Sequence, residues 1–332
     1  MERLNQYQPR LIGYDLYRDF PADPVVAKRL QDEERFIGIC KLSDTDAQGK
    51  VIPGREGIRP PFEIPKKRLG GRVGFNDAVF DSNSTIRRHL IVHPPDPKFC
   101  PIQNAFSLLI ARRYLEAEGK HYHSPLTSKG DIEKTLQFDE TSFKRLTDFS
   151  GGYQGQNTGG YQILLNYRTY KGNPQQLAPR VSIQQVLNNQ ISEQDIKDRI
   201  VLVGVTASSD DMFATPYSKN SYTLIPGVII HAQMASQIIS AVLDGRPLIW
   251  WLPFWGDVLW IGVWSIAGGL IIWRYQKPLH LALAGVISLT ALFGLCYIIL
   301  AFHSGWIPAI PPAFALLTTT GLVIVITYQF RQ

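Results

Sequence analysis

The sequence predicts an α/β domain, with a mixed sheet and covering helices, followed by three transmembrane α-helices. Three observations carry that expectation: β-rich runs alternate with amphipathic stretches up to Leu243, apolar runs fill the remainder, and charge nearly vanishes there. From Trp251 onward the formal charges are Asp257, Arg274, Lys277 and Arg331, so 31 of the 34 basic and 27 of the 28 acidic residues come earlier. The expected division is therefore an outer domain at 1–247 and a membrane segment at 248–332.

Strands are expected where short runs are rich in β-branched and aromatic residues: Arg10 to Leu16, Arg35 to Leu42, Gly71 to Phe75, His89 to His93, Tyr161 to Tyr167 and Arg199 to Val205. Helical periodicity falls at Pro24 to Glu33, Ala105 to Glu118, Ser182 to Asn188 and Gly227 to Leu243. The last carries Val228, Ile229, Ala232, Ala235, Ile238, Ile239 and Val242 as a stripe that packs on a sheet. Alternation of strands and helices favours one α/β layer structure with long connections. The run Ile200-Val-Leu-Val-Gly204 is nearly all apolar, as in a central strand covered on both faces. Pro and Gly mark loops at Val51 to Gly74 and Gly151 to Gly160.

Three apolar runs, Leu248 to Trp273, Pro278 to Phe302 and Trp306 to Phe330, each reach the ~20 residues that cross a bilayer. Arg274 and Lys277 separate the first two, while His303-Ser-Gly-Trp306 separates the others without Lys or Arg. The positive-inside bias then puts the Arg274 loop in the cytoplasm and the large domain outside it. Trp250, Trp251, Trp255 and Trp306 form the outer aromatic belt, and Trp273, Tyr275, Tyr328 and Phe330 the inner one. Asp257 lies shallowly within the first span, where it serves either as a relay or as a carboxylate reaching interfacial water. Met1-Glu-Arg-Leu-Asn-Gln-Tyr-Gln-Pro9 has no apolar signal core, so a preceding membrane helix is expected to export the domain.

Ligands in open α/β sheets favour the crevice beyond the carboxyl ends of the strands. Asp15 and Asp19 follow the first strand, Asn76 and Asp77 the third, and Asp210, Asp211 and Thr215 the last, and all seven are candidate ligand-binding residues. His231, near the start of the Gly227 helix, is the eighth. Each also has a structural reading, since acidic residues after strands cap turns and a lone His packs or hydrogen-bonds. No metal site is expected: His121 and His123 have no companion ligand at recognisable spacing. The Gly151 loop lacks the phosphate-binding pattern, and no hydrolase, zinc-protease or kinase signature occurs, so neither a catalytic residue nor a cofactor is expected. A surplus of four positive charges without a basic stripe argues against nucleic acid. Cys40 and Cys100 are expected as buried free thiols, with pairing as the alternative in an oxidising compartment.

Several dispersed motifs resemble the CHASE sensory domain of type two. They are Leu11-Ile-Gly-Tyr-Asp15-Leu-Tyr-Arg18-Asp19-Phe, Gly74-Phe-Asn76-Asp77, Gly159-Gly-Tyr-Gln-Ile-Leu-Leu-Asn166-Tyr-Arg168, Ile200-Val-Leu-Val-Gly204-Val-Thr206-Ala, Thr215-Pro216 and Pro226-Gly227-Val-Ile-Ile-His231-Ala. The resemblance implies an extracytoplasmic input module of bacterial receptors that relays a signal to a cytoplasmic kinase or cyclase, and the three-helix membrane segment fits it. The expected partners are a small-molecule or protein stimulus, a second copy in a homodimer, that cytoplasmic output, and membrane lipids. A membrane-anchored hydrolase and an assembly protein are the rival readings.

Overall fold

The computed structural model describes residues 2–46, 48–127, 131–153, 155, 158–207, 211–219, 223–275 and 277–329, with residues 2 and 322–329 described by backbone alone. The chain forms two compact units, 1–145 with 159–246, and 146–158 with 247–332.

The first unit begins with α1 (Glu2–Gln6), β1 (Leu11–Asp15), α2 (Pro24–Asp32), β2 (Phe36–Cys40), α3 (Leu69–Arg72) and β3 (Val73–Phe75). Asp23 accepts a hydrogen bond from the Val25 N–H, and Pro24 occupies the first turn, which together start α2. Next come β4 (Arg88–Val92), α4 (Phe106–Ala117), β5 (Tyr122–His123), β6 (Leu136–Phe138), β7 (Thr141–Phe143) and β8 (Tyr161–Leu164). The unit closes with α5 (Ile183–Leu187), α6 (Glu193–Ile196), β9 (Ile200–Gly204), β10 (Met212–Phe213), β11 (Ile225–Pro226) and α7 (Gly227–Leu243).

All six expected strands and all four expected helices are present, and α7 has the expected bounds. The main sheet is parallel, in the order β3-β2-β1-β9. Antiparallel pairing is segregated into β4–β8, β10–β11 and the small β5-β6-β7 sheet. One expectation is corrected here: β9 is an edge strand of half-buried residues, not a central one. Its apolarity comes from coverage of both faces. Val201 and Val203 pack on Leu4, Ile12 and Ile196, while Gly204 lies so close to α7 that a Cβ there would meet Val228 at 2.6 Å. The stretch read as loop at Val51 to Gly74 also contains α3, whose buried Arg72 donates to the Phe36, Leu30, Gln31 and Glu33 carbonyls.

Helix α4 packs against β1 and β3 and against α7. Phe106, Leu108, Leu109 and Ile110 are at most 1% exposed, each burial stabilising by on the order of 1.5–3 kcal/mol. Two glutamines pin α7 to the chain after β8. Gln233, which is fully buried, accepts from the Arg168 N–H and donates to the Arg168 and Pro174 carbonyls, while Gln237 accepts from Asn166 N–H and donates to Leu164 C=O.

Cys40 and Cys100 form a disulfide, with Cα atoms 5.5 Å apart, rather than two free thiols. Both are fully buried, and the bond ties the end of β2 to the connection before α4. Free cysteines and paired ones favour the same burial, which is why composition alone did not separate them.

In the second unit, β12 (Trp250–Trp251) pairs in parallel with β13 (Gly305–Trp306), and α8 (Phe254–Arg274), α9 (Pro278–His303) and α10 (Ile310–Gln329) complete it. Among the described residues α8 and α9 are long and apolar enough to cross a membrane. The first apolar run becomes helical at Phe254, not Leu248, because Trp250 and Trp251 are extended and Pro253 precedes the helix. Helix α10 has 20 residues and lies against α8, where Ser265 and Thr319 hydroxyls hydrogen-bond and a Cβ on Gly268 would meet the Leu316 carbonyl at 2.6 Å. The Gly151 segment belongs to this unit: Gly151 and Gly152 lie against the Trp306 indole, and Tyr153 meets it edge-on at 5.4 Å.

Candidate functional site

The parallel sheet delivers its four carboxyl ends to one edge. Strand order reverses direction at β1, with β2 and β3 on one side and β9 on the other, and such a switch point opens a crevice. A cavity of about 530 Å³ occupies it, lined by the residues after β1, β2, β3 and β9 and by the start of α7. Its size falls within the range of small-molecule sites.

Of the expected site residues, Asp15, Asn76, Asp77, Asp211 and His231 line this cavity together. Asp19 is exposed outside the lining. Thr215 is also outside it: its buried hydroxyl caps a turn, accepting from the Tyr217 N–H, while its own N–H donates to Ser218 Oγ. Asp210 lies outside the described residues. Asp257 belongs to α8 in the second unit, where it is buried and its Oδ1 has no partner among the described residues.

Within the cavity the Tyr17 hydroxyl donates to Asn76 Oδ1 at 2.8 Å, and the Asn76 amide donates to Asp15 Oδ1 at 3.4 Å. Donors thus run in one direction and end on a carboxylate. Asp77 Oδ2 accepts from the Leu42 N–H, yet burial outweighs this and pushes its carboxyl up to about 6. Burial, then the nearby charge of Asp15, raises Asp211. Asp211 sits against the first residue of α7, and a Cβ on Gly227 would meet its Oδ1 at 2.5 Å. The carboxylate thereby takes the place at the helix N-terminus that an anion would otherwise occupy.

His231 is 6% exposed, meets Phe106 edge-on at 5.5 Å, and has no hydrogen-bond partner at Nδ1 among the described residues. Behind it lies His89, whose Nε2 pairs with Ser107 Oγ at 2.7 Å. Burial, and then the neighbouring His231, holds the His89 imidazole down to about 3, so it is neutral at ordinary pH. This Ser–His contact has the spacing of a nucleophile and its base, but both residues are 0% exposed and Ser107 also meets Met234 Sδ, so no substrate reaches it. Among the described residues no three His, Cys, Asp or Glu side chains converge as metal ligands.

Sequence reasoning missed Tyr17, Lys41, Asp44, Phe80 and Phe213, all of which line the cavity. Lys41 and Asp44 follow β2, and applying the strand-end rule to that strand as well would have found them. Phe80 and Phe213 come from connections that meet only in three dimensions, with ring centroids 5.7 Å apart.

The model of the CHASE2 domain matches residues 1–270, which takes in the whole first unit and most of α8. No curated protein and no solved structure matches the chain. With the family model covering most of its length, the chain belongs to the CHASE2 family and carries that extracytoplasmic sensory domain.

Proposed function

We propose that this chain is the input half of a multi-pass membrane receptor, with the outer domain at 1–247 sensing a stimulus and the segment at 248–332 relaying it to a cytoplasmic kinase or cyclase. Membership in a sensory family is the observation that carries this reading. The Cys40–Cys100 disulfide supports an oxidising, outward-facing compartment. Arg274 and Lys277, between α8 and α9, support a cytoplasmic loop there, with α10 as the third crossing. Membership in a sensory family and the acidic lining of the crevice support a binding role for it.

The relay runs along α7. Its first turn borders the crevice, its middle is locked by Gln233 and Gln237, and its far end leads through Asp244-Gly245-Arg246-Pro247 toward α8, with Asp257 as the first carboxylate of that helix. The Arg246 guanidinium also donates to the Asn166 and Tyr167 carbonyls, so the connection is braced. A second copy of the chain completes the signalling unit. The test is a reporter cyclase joined after Gln332. Asp15→Asn or Asp211→Asn changes its output about fivefold or more, and a Gly-Ser insertion between Asp244 and Pro247 removes the difference. Output indifferent to the crevice variants contradicts the reading.

A further inference from the structure

The lining of the crevice selects a class of ligand. Among the described residues, four carboxylates, those of Asp15, Asp44, Asp77 and Asp211, face it, against the single lysine Lys41 and no arginine. Asp44 has a partner outside the lining in Arg55, at 3.8 Å, and Lys41 lies near Asp77. That leaves Asp15 and Asp211, close enough for the charge of one to act on the other, with no lysine or arginine paired to either carboxylate among the described residues. Two like charges so placed repel, and a cation between them relieves that repulsion. An anion finds no such welcome, since Asp211 already occupies the start of α7.

Two further features point to an organic cation. Tyr17, Phe80 and Phe213 supply aromatic surface in the lining, and aromatic faces attract ammonium groups. The buried His231 lines the same crevice close enough to act on Asp211, and its Nδ1, without a partner among the described residues, can take an N–H donor. We propose that the crevice binds a small organic ammonium compound, its charged nitrogen held by Asp15 and Asp211 with His231 Nδ1 as an additional acceptor, and its carbon skeleton against Phe80 and Phe213.

This rests on the sensory reading above, and the test separates the two. The full chain in lipid nanodiscs is titrated with putrescine, spermidine and choline, with the neutral 1,4-butanediol, with succinate, and with calcium and magnesium, reading thermal unfolding and intrinsic fluorescence. At least one ammonium compound shifts the transition, and Asp15→Asn or Asp211→Asn weakens its binding about tenfold. Lys41→Gln, which leaves the carboxylates in place, tightens it about threefold. The Asn variants are checked for unchanged unliganded unfolding, and the Lys41 variant tests the assignment by a gain that misfolding does not mimic. A shift by succinate or butanediol alone, lost in the Asp15 variant, overturns the ammonium assignment but leaves the crevice as the sensor's site. A shift by the divalent ions alone, or none with any ammonium compound, also overturns it.

Discussion

Helix α7 has 17 residues and α8 has 21, and both are apolar over most of their length. In α7, Ile230, Met234 and Ile238 are at most 2% exposed, whereas in α8 Val263, Ile266 and Trp273 are 60–80% exposed. Their polar groups differ as well. The buried Gln233, Gln237 and Ser240 of α7 all find partners, while Asp257 Oδ1 and Trp264 Nε1 of α8 find none among the described residues. Equal apolarity therefore serves two settings: α7 buries its side chains against a protein core, and α8 leaves them exposed, as the proposed membrane segment requires. A stimulus that acts on the first turn of α7 works on a lever held to the chain after β8 by Gln233 and Gln237, and those bonds are what substitutions can break.

The largest effect is expected from the bond beneath the crevice. Closing a loop between Cys40 and Cys100, 60 residues apart, stabilises the first unit by about 4 kcal/mol in the chain-entropy account. The Cys40→Ala/Cys100→Ala double variant should lose most of that in chemical denaturation, and alkylation of the unreduced, denatured chain should find one thiol, Cys296. Three reactive thiols would put the domain in a reducing compartment. Next in size is Gln237→Leu, which strands the Asn166 N–H and Leu164 carbonyl and should cost about 2–3 kcal/mol by the same measurement.

A matched pair sharpens the contrast with the membrane segment. Gly268→Leu pushes α8 away from the Leu316 carbonyl and should destabilise the protein in detergent by about 1–3 kcal/mol, whereas Gly262→Leu, with nothing within 4 Å of its would-be Cβ, should be neutral. Equal effects would show that α8 and α10 are not packed this way. The smallest effect has the opposite sign. Because the Asp77 carboxyl is raised to about 6, the folded state holds a proton that the unfolded chain releases, and stability falls as pH rises from about 4 through 6. Asp77→Asn should therefore gain about 1–2 kcal/mol at pH 7.5 and nothing at pH 4, read as the difference in unfolding temperature.

Much of this was legible in the sequence because its signals are local. Period-two and period-3.6 patterns located the strands and α7, and the strand-end rule picked out four residues that share one crevice, with His231 added from the start of α7. What was not legible depends on three-dimensional neighbours. The apolarity of Ile200–Gly204 reports that both faces are covered but not whether another strand lies beyond, so an edge strand read as a central one. Thr215 looked like a ligand contact because a hydroxyl that caps a turn and one that faces a cavity share the same sequence setting. The pairing of Cys40 with Cys100, and the meeting of Phe80 with Phe213, depend on chain crossings that spacing does not encode.

The outward orientation of the crevice is the claim on which sensing and relay both depend. With Cys296→Ser as background, single cysteines at Ala117, the exposed last residue of α4, and at Tyr275, between α8 and α9, can be treated with a membrane-impermeant maleimide in intact cells. The account predicts labelling at position 117 without permeabilisation and at position 275 only after it. Labelling in the reverse order would place the acidic crevice in the cytoplasm and contradict the proposed receptor.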